Sequence, residues 1–136
     1  MPFWKCFYHA IWSTYGRTPM INSAMETVIF EAIEAKTRTL NGEVFAINGI
    51  EDHIHIAVSF PPHISGAEWV RIVKGLSAHN VNESFPNLET RFQWQKGYGL
   101  LTFGANTLPD VVRYIELQKT YHANKSLNAY LEQSDD

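Results

Sequence analysis

Residues 43–60, EVFAINGIEDHIHIAVSF, contain the pattern that decides the fold of this chain. Apolar and other residues alternate around His53 and His55, and a period of two is typical of an extended strand. On such a strand the two imidazoles stand side by side on one face, while the intervening isoleucine and the apolar residues in step with it point to the other face. The predicted elements here are a strand at 43–49, a turn at 49–52 and a strand at 53–60.

The two neighbouring imidazoles form a candidate metal site. Neutral imidazole binds Mn, Zn, Fe or Ni, and Mg is possible where oxygen ligands predominate. A strand of an antiparallel sheet also carries polar residues at every second position, so two histidines can occupy such positions without a further role. The tripeptide alone leaves both interpretations open.

Two Ser-x-x-Glu sequences predict where helices begin. Ser23 with Glu26, and Ser65 with Glu68, have the spacing of a capping box, in which side chains bond the free N–H groups of the first turn. The dipeptide at 41–42, Asn-Gly, is expected to end the first helix. The buried stripe predicted for the second helix consists of Trp69, Ile72, Val73 and Leu76. The other predicted elements are a strand at 3–15, helices at 23–40 and 65–85, a strand at 91–104, a helix from 107 to about 122 and a short amphipathic segment to 131.

The order of these elements predicts the fold class. A β-α-β-β-α-β order followed by helices is typical of the α+β, ferredoxin-like (split β-α-β) fold, in which two helices cover one face of an antiparallel sheet. A C-terminal helix, which carries the candidate catalytic residue described below, is added to this arrangement. No linker or repeat interrupts the pattern, so residues 1–136 are expected to form a single domain.

Composition narrows the class of protein. The chain has 136 residues, of which 45% are hydrophobic and 18% charged, as in ordinary globular domains. One cysteine, Cys6, excludes an internal disulfide and a multi-cysteine zinc site. No apolar run approaches the length of a membrane span, so a cytoplasmic location is expected. The net charge of −3 argues mildly against a protein that binds nucleic acid through a basic surface.

The helix near the C-terminus adds a second candidate group. At about 100° per residue, Tyr114, Gln118 and Tyr121 fall in one narrow sector, away from the apolar stripe. A tyrosine beside a metal is a plausible nucleophile toward phosphorus, and the Gln118 amide oxygen can complete a ligand set without adding charge. A half-buried tyrosine and a surface glutamine would give the same spacing. His122, one turn beyond Gln118, is a further but weaker candidate.

Five segments together resemble the single-tyrosine HUH transposases, the insertion-sequence-200-like family. The matching segments are His53-Ile54-His55 followed by Val-Ser-Phe-Pro-Pro at 58–62, Val-Arg-Tyr-Ile-Glu-Leu-Gln at 112–118, and the stretches at 8–17, 73–77 and 94–99. They cover nearly the whole chain in the family's order. A lone His-x-His is a weak signal, whereas His-x-His with a spaced Tyr-x-x-x-Gln in this topology is strong.

The resemblance implies a mechanism, a cofactor and partners. Tyr114 is expected to attack a phosphodiester of single-stranded DNA, which forms a 5′-phosphotyrosine link and frees a 3′-OH. His53, His55 and Gln118 are expected to hold Mg²⁺ or Mn²⁺. The expected partners are DNA hairpins at the ends of a mobile element and a second copy of the chain, whose site the tyrosine helix can complete.

The acidic net charge departs from this family, whose hairpin-binding members are usually basic. A local basic patch can still bind the DNA backbone. The candidates for such a patch are Arg71, Lys74, Lys96, Arg113 and Lys119. Two alternatives also fit the sequence: a domesticated hairpin endonuclease, and a non-catalytic module that binds single-stranded nucleic acid by stacking.

Overall fold

The structure is a computed structural model that describes residues 3–124 and Glu132. Its elements follow the predicted order, with short 3₁₀ turns at Tyr15–Arg17 and Ala105–Thr107. The strands and helices are β1 (Phe7–Ser13), α1 (Ser23–Thr39), β2 (Glu43–Ile50), β3 (His53–Ser59), α2 (Gly66–Ser84), β4 (Gly99–Phe103), α3 (Leu108–Glu116) and α4 (Gln118–Asn124).

The four strands form one antiparallel sheet in the order β2-β3-β1-β4. The pair α1 and α2 packs on one face, and α3 packs on the other face against β2 and β3. The predicted α+β, ferredoxin-like class is therefore confirmed. Among the described residues, no helix is long and apolar enough to cross a membrane.

The central strand β3 separates the core from the candidate site. Its Ile54, Ile56 and Val58 are fully buried against the two long helices. His53 and His55 point to the opposite face, as alternation predicts, yet they are also buried, at 1% and 0% exposure. Both faces of β3 are covered, so the two histidines do not stand on a solvent-exposed polar face, the alternative that the sequence had left open.

The main core lies between the sheet and the two long helices. The indole of Trp69 stacks on Phe60 and meets Trp12 edge to face, at ring-centroid distances of 5.3 and 6.0 Å. The Trp69 Nε1–H donates to Thr37 Oγ1 at 3.0 Å, which satisfies a buried indole and ties α2 to α1. This layer supplies most of the apolar burial and holds β3 in place.

The buried stripe of α2 differs from the prediction. The residues that face the core are Trp69, Val70, Val73, Ser77 and Val81. Ile72 and Leu76 are only partly buried and lie outside the core cluster. The inward row follows the i, i+4 spacing of an α-helix through Ser77, whose hydroxyl bonds the Val73 carbonyl at 2.7 Å and accepts from Trp94 Nε1 at 3.0 Å. Ser77 was not predicted to face the core because its side chain is polar.

The predicted strand at 91–104 is shorter in the structure, where β4 begins at Gly99. Upstream of it, Trp94 makes an isolated bridge to Thr14. The ammonium of Lys74 accounts for the irregular stretch between them, because it donates to the carbonyls of three consecutive residues, 95–97. Carbonyls turned toward a lysine are not available to a sheet ladder.

Helix boundaries also differ in detail. The N-cap of α1 is Asn22, whose side chain accepts from Met25 N at 2.9 Å, so the predicted box at Ser23 is displaced by one residue. The N-cap of α2 is Ser65, as predicted. The predicted continuous helix to about residue 122 is interrupted at Leu117, where α3 ends and α4 begins. The segment predicted between α4 and residue 131 lies outside the described residues.

Replacement of Ile56 by alanine should lower the free energy of unfolding by about 2 to 5 kcal/mol, because it opens a cavity in the closed core. The matched change Ile72→Ala should cost about 1 kcal/mol or less, since Ile72 lies outside the core cluster. Urea unfolding of both variants checks this. Equal losses would contradict the packing assigned to α2.

Candidate active site

The imidazoles of His53 and His55 are adjacent on β3, with ring centroids 5.2 Å apart. Each has its Nδ1 atom engaged on the side away from the other. The Nδ1–H of His53 donates to Asp52 Oδ1 at 2.8 Å, and Nδ1 of His55 lies 2.8 Å from Nε2 of His9 on β1. The Nε2 atom of His53 has no hydrogen-bond partner among the described residues, and that of His55 lies 3.0 Å from Glu132 Oε1, so both point to one place, as in metal-ligating histidines.

Two further residues join them from beyond α3. The ring of His122 on α4 lies 4.7 Å from that of His53. Oxygen Oε1 of Glu132 lies 3.4 Å from His53 Nε2, 3.0 Å from His55 Nε2 and 3.7 Å from His122 Nε2. The candidate ligand atoms of these four residues, which we call the His–Glu cluster, all lie within 4.8 Å of one another.

Gln118 is fully buried and reaches this cluster through His122. Its side-chain oxygen accepts from His122 Nε2 at 3.0 Å, and its Nε2 donates to the Tyr114 carbonyl at 3.3 Å. The break at Leu117 places Gln118 at the first position of α4, where its side chain points inward. The structure thus places the predicted glutamine in contact with His122, whose ring lies beside that of His53.

Tyr114 lies against the same cluster. Its ring centroid is 5.9 Å from that of His55, and its hydroxyl donates a short hydrogen bond to Glu132 Oε2. Tyr121, the other tyrosine in the predicted sector, stacks on the Tyr114 ring at 5.1 Å. Within the described chain, the phenol, the imidazoles and the glutamine therefore lie together.

Burial favours the neutral form of three imidazoles in and beside the cluster, those of His9, His55 and His122. It lowers the pKa of His9 to about 3, with the neighbouring His55 acting in the same direction. Burial likewise lowers the pKa of His55 and of His122. Burial alone would raise the pKa of the Glu132 carboxyl, but the surrounding imidazoles and the Tyr114 hydroxyl hold that pKa well below its usual range. Neutral imidazoles and an ionised carboxylate are the ligand forms that a cation requires.

The donor atoms of this site fit a divalent metal. His53 Nε2 is buried and has no hydrogen-bond partner among the residues that the structure describes, so a lone pair faces the cluster. Imidazole nitrogens with a carboxylate oxygen suit Mn, Zn or Fe, and they suit Mg less well. His53, His55 and Gln118, with His122 and Glu132 beside them, could hold such an ion.

The predicted basic residues are not brought together as one patch. Arg71, Lys74 and Lys96 line a cavity of about 250 Å³ beside α2. Lys74 is half-buried, which lowers its pKa, and its ammonium already donates to three carbonyls. Lys119 lies near the other sheet edge, bound to Glu26 at 2.9 Å and to Asn48 at 2.7 Å. Arg113 is exposed on α3.

Three residues of the site escaped the sequence analysis. Asp52 directly precedes His53 and was assigned only to a turn. His9 shares the face of His55 because β1 pairs with β3 and places Ile11 opposite His55, so alternation on β1 was the available signal. Glu132 is far along the chain in an acidic tail, and no pattern marks it.

The sequence of most of this chain matches a known family. The model of the family described as "Transposase IS200 like" matches residues 2–118. The chain belongs to the IS200-like transposase family. The resemblance in its five motif segments is thereby confirmed.

Two curated relatives of this IS200-like transposase have similar lengths. This chain is 25% identical over 115 residues to the ISDra2 transposase TnpA of Deinococcus radiodurans, and the match covers 82% of each chain. It is 24% identical over 108 residues to the transposase for insertion sequence element IS200 of Salmonella typhimurium, over 76% of this chain and 71% of that one.

Two solved structures share the fold. A transposase structure from Deinococcus radiodurans has a TM-score of 0.70 and 23% identity, and the match covers 87% of this chain and 95% of that chain. A REP-associated tyrosine transposase bound to a REP hairpin has a TM-score of 0.66 and 15% identity, over 90% of this chain and 74% of that chain. At these identities the likeness shows the fold.

In the presence of EDTA, the free energy of unfolding should fall as pH decreases from about 6.5 toward about 3. Between these values His9 is protonated in the unfolded chain and neutral in the folded one, so each unit of pH costs up to about 1.4 kcal/mol. Urea unfolding at several pH values measures the slope. The variant His9→Gln should have a shallower slope, whereas His63→Gln, in an exposed position, should keep it. Equal slopes for all three proteins would contradict the buried neutral state of His9.

Proposed function

We propose that this protein cleaves and rejoins single-stranded DNA at hairpin-bearing ends of a mobile element, with Tyr114 as the nucleophile. The observation that carries the proposal is the position of the Tyr114 phenol against the buried His–Glu cluster. An isolated phenol is a poor nucleophile at neutral pH because its pKa is about 10. Its placement beside groups that can hold a cation and a phosphodiester offsets this weakness.

The cleavage step exchanges one phosphoester for another. The Tyr114 oxygen forms a bond to phosphorus, the bond from phosphorus to the 3′ oxygen breaks, and the phenolic proton is lost while the 3′ oxygen gains one. The products are a 5′-phosphotyrosine and a free 3′-OH. Because the ester is conserved, a 3′-OH can attack the phosphotyrosine and restore the DNA without an external energy source.

We propose that His53, His55 and Gln118 hold Mg²⁺ or Mn²⁺ for this reaction. When bound, the ion polarises a phosphoryl oxygen and orients the scissile bond. The protein contributes fixed ligands: Asp52 and His9 hold the two imidazole rings by their Nδ1 atoms, and the Tyr114 carbonyl holds the Gln118 amide. Helix α3 thereby links the ligand amide to the nucleophile, which lies one helical turn away.

The proposed substrate is a DNA hairpin with a single-stranded flank. Support comes from the REP-associated tyrosine transposase, which shares the fold and whose structure is bound to a REP hairpin. In this chain, the exposed Arg71 and Lys96 beside the cavity of α2 are the best-placed groups to contact DNA phosphates. Arg113, exposed on the nucleophile helix, is a third candidate, whereas the ammonium groups of Lys74 and Lys119 are already bonded within the protein.

We also propose that the protein acts as a homodimer. Strands β2 and β4 are at the two edges of the sheet, and an edge strand can pair with another chain. Tyr114 and the histidines meet within the described chain. A second copy would add DNA-binding surface, and its tyrosine helix could complete the site of its partner.

Removal of one oxygen, in Tyr114→Phe, should abolish the covalent protein–DNA adduct while Mn²⁺ and hairpin binding persist. The ring remains to fill its buried position, and only the nucleophilic atom is lost. Denaturing gels with an end-labelled single-stranded hairpin should show a divalent-metal-dependent adduct on the 5′ side of the cut in the parent protein alone.

Tyr121→Phe is the matched control, because Tyr121 stacks on Tyr114 and the chemical change is the same. It should retain the adduct. An adduct that persists in Tyr114→Phe but disappears in Tyr121→Phe would transfer the nucleophile to Tyr121. Mixing Tyr114→Phe with His53→Ala should not restore cleavage if the site acts within one chain, and restored cleavage would show exchange of the tyrosine between copies.

The variants Arg71→Ala and Lys96→Ala should weaken binding of the hairpin at low salt and each reduce the salt dependence of binding by roughly one released ion. Both side chains are exposed, so folding should be unaffected. Fluorescence anisotropy over a range of salt concentrations measures the effect. Arg38→Ala, an equally exposed change near the end of α1, should leave affinity unaltered. Equal weakening by Arg38→Ala would indicate a diffuse charge effect and no defined patch.

A further inference from the structure

The carboxylate of Glu132 has an unusual position for a residue outside the family's His-x-His and Tyr-x-x-x-Gln motifs. Oxygen Oε1 is surrounded by Nε2 of His53, His55 and His122, and oxygen Oε2 accepts from the Tyr114 hydroxyl. Its two oxygens thus contact the two halves of the proposed site, the metal ligands and the nucleophile.

The distances from Glu132 to the imidazoles are those between neighbouring ligands of one ion. Two donor atoms that each lie about 2.1 Å from a metal, at tetrahedral or octahedral angles, are about 3.0 to 3.4 Å apart. Oε1 lies 3.0 Å from His55 Nε2, 3.4 Å from His53 Nε2 and 3.7 Å from His122 Nε2. Oε1 therefore stands where a further ligand would stand beside the imidazoles.

A carboxylate that only filled the site in place of an ion would accept an N–H group from each neighbouring imidazole, as Oε1 can from His55 Nε2 at 3.0 Å. His53 cannot supply one from Nε2 in its neutral form, because its ring proton is on Nδ1 and donates to Asp52. The His53 Nε2 atom accordingly has no hydrogen-bond partner among the described residues, although it is 1% exposed. Its lone pair and the Glu132 oxygen both face the space where a cation would bind.

From this geometry we propose that Glu132 is a metal ligand of the active site and that its second oxygen positions the Tyr114 hydroxyl next to the ion. This inference rests on the proposed function. It adds one anionic ligand to the neutral set of two histidines and a glutamine, and it connects the cation to the nucleophile through a single carboxylate. The imidazole nitrogens of this set favour Mn²⁺ over Mg²⁺, because Mg²⁺ prefers oxygen ligands.

Calorimetric titration with Mn²⁺ alone tests the ligand role without relying on activity. Glu132→Ala should weaken Mn²⁺ binding by at least about tenfold, since loss of groups that only orient ligands already costs 10 to 100-fold. Glu132→Gln keeps the shape and one acceptor oxygen and should give an intermediate loss. Glu116→Gln, the same change at an exposed carboxylate on α3, should bind like the parent protein. Thermal unfolding in EDTA confirms that each variant folds.

Unchanged Mn²⁺ affinity in both Glu132 variants would overturn the inference. If Glu132→Ala also formed the DNA adduct faster than the parent protein, Glu132 would be a blocking group and not a ligand. The proposed function is judged separately: a parent protein that binds Mn²⁺ through Glu132 but forms no adduct with a hairpin would refute the nuclease proposal and leave the ligand assignment supported.

Discussion

The hydrogen bonds at the Nδ1 atoms of His53 and His55 determine what the candidate active site can do. A neutral imidazole has one N–H and one lone pair, so whichever nitrogen is engaged as a donor leaves the other free to bind a metal. The Asp52 carboxylate can only accept, which assigns the His53 proton to Nδ1. His55 contacts His9 Nε2 through Nδ1 and Glu132 Oε1 through Nε2, so both of its ring nitrogens are held in place. The Nε2 atoms of both histidines point to one place, where Glu132 Oε1 also lies.

The pairing of β1 with β3 makes this arrangement possible. Ile11 lies opposite His55 and Ala57 lies opposite His9, so the two histidines are diagonal neighbours on one face of the sheet. A slip of one residue would send His9 into the apolar core. On the same face the small side chains of Ala46 and Ala57 allow α3 to pack closely through Val111 and Ile115. That contact brings Tyr114, which lies between Val111 and Ile115 on α3, close to His55.

The features that could be predicted are those that follow a repeating pattern in the sequence, such as strand alternation or helical spacing. Alternation placed His53 and His55 on one face, and helical spacing placed Tyr114 one turn from Gln118. The capping box at Ser65 identified the start of α2. Contacts between distant segments have no period, which is why the sequence did not predict the burial of β3 on both faces.

The same limitation explains why Glu132 was not predicted as a site residue and why the contacts of Lys74 were not foreseen. Glu132 approaches His55 across 77 positions of sequence, and no local rule connects them. Lys74 has the composition of a DNA-binding residue, but it turns toward backbone carbonyls that only the folded chain brings near. Positive charge in a sequence therefore identifies candidates for a phosphate contact, and the fold decides which ammonium groups are free to make one.

The charges around the cluster favour a bound cation. The carboxylates of Asp52 and Glu132 lie beside His53 and His55, and a phosphodiester would bring another negative charge to the same place. Like charges that are poorly solvated repel strongly unless a counter-charge is present. Of the basic groups nearby, Lys119 is already bonded to Glu26 and Arg17 lies 3.9 Å from Asp52 at the rim. A divalent ion among the Nε2 atoms would lie between the carboxylates and the phosphate, where it could offset both.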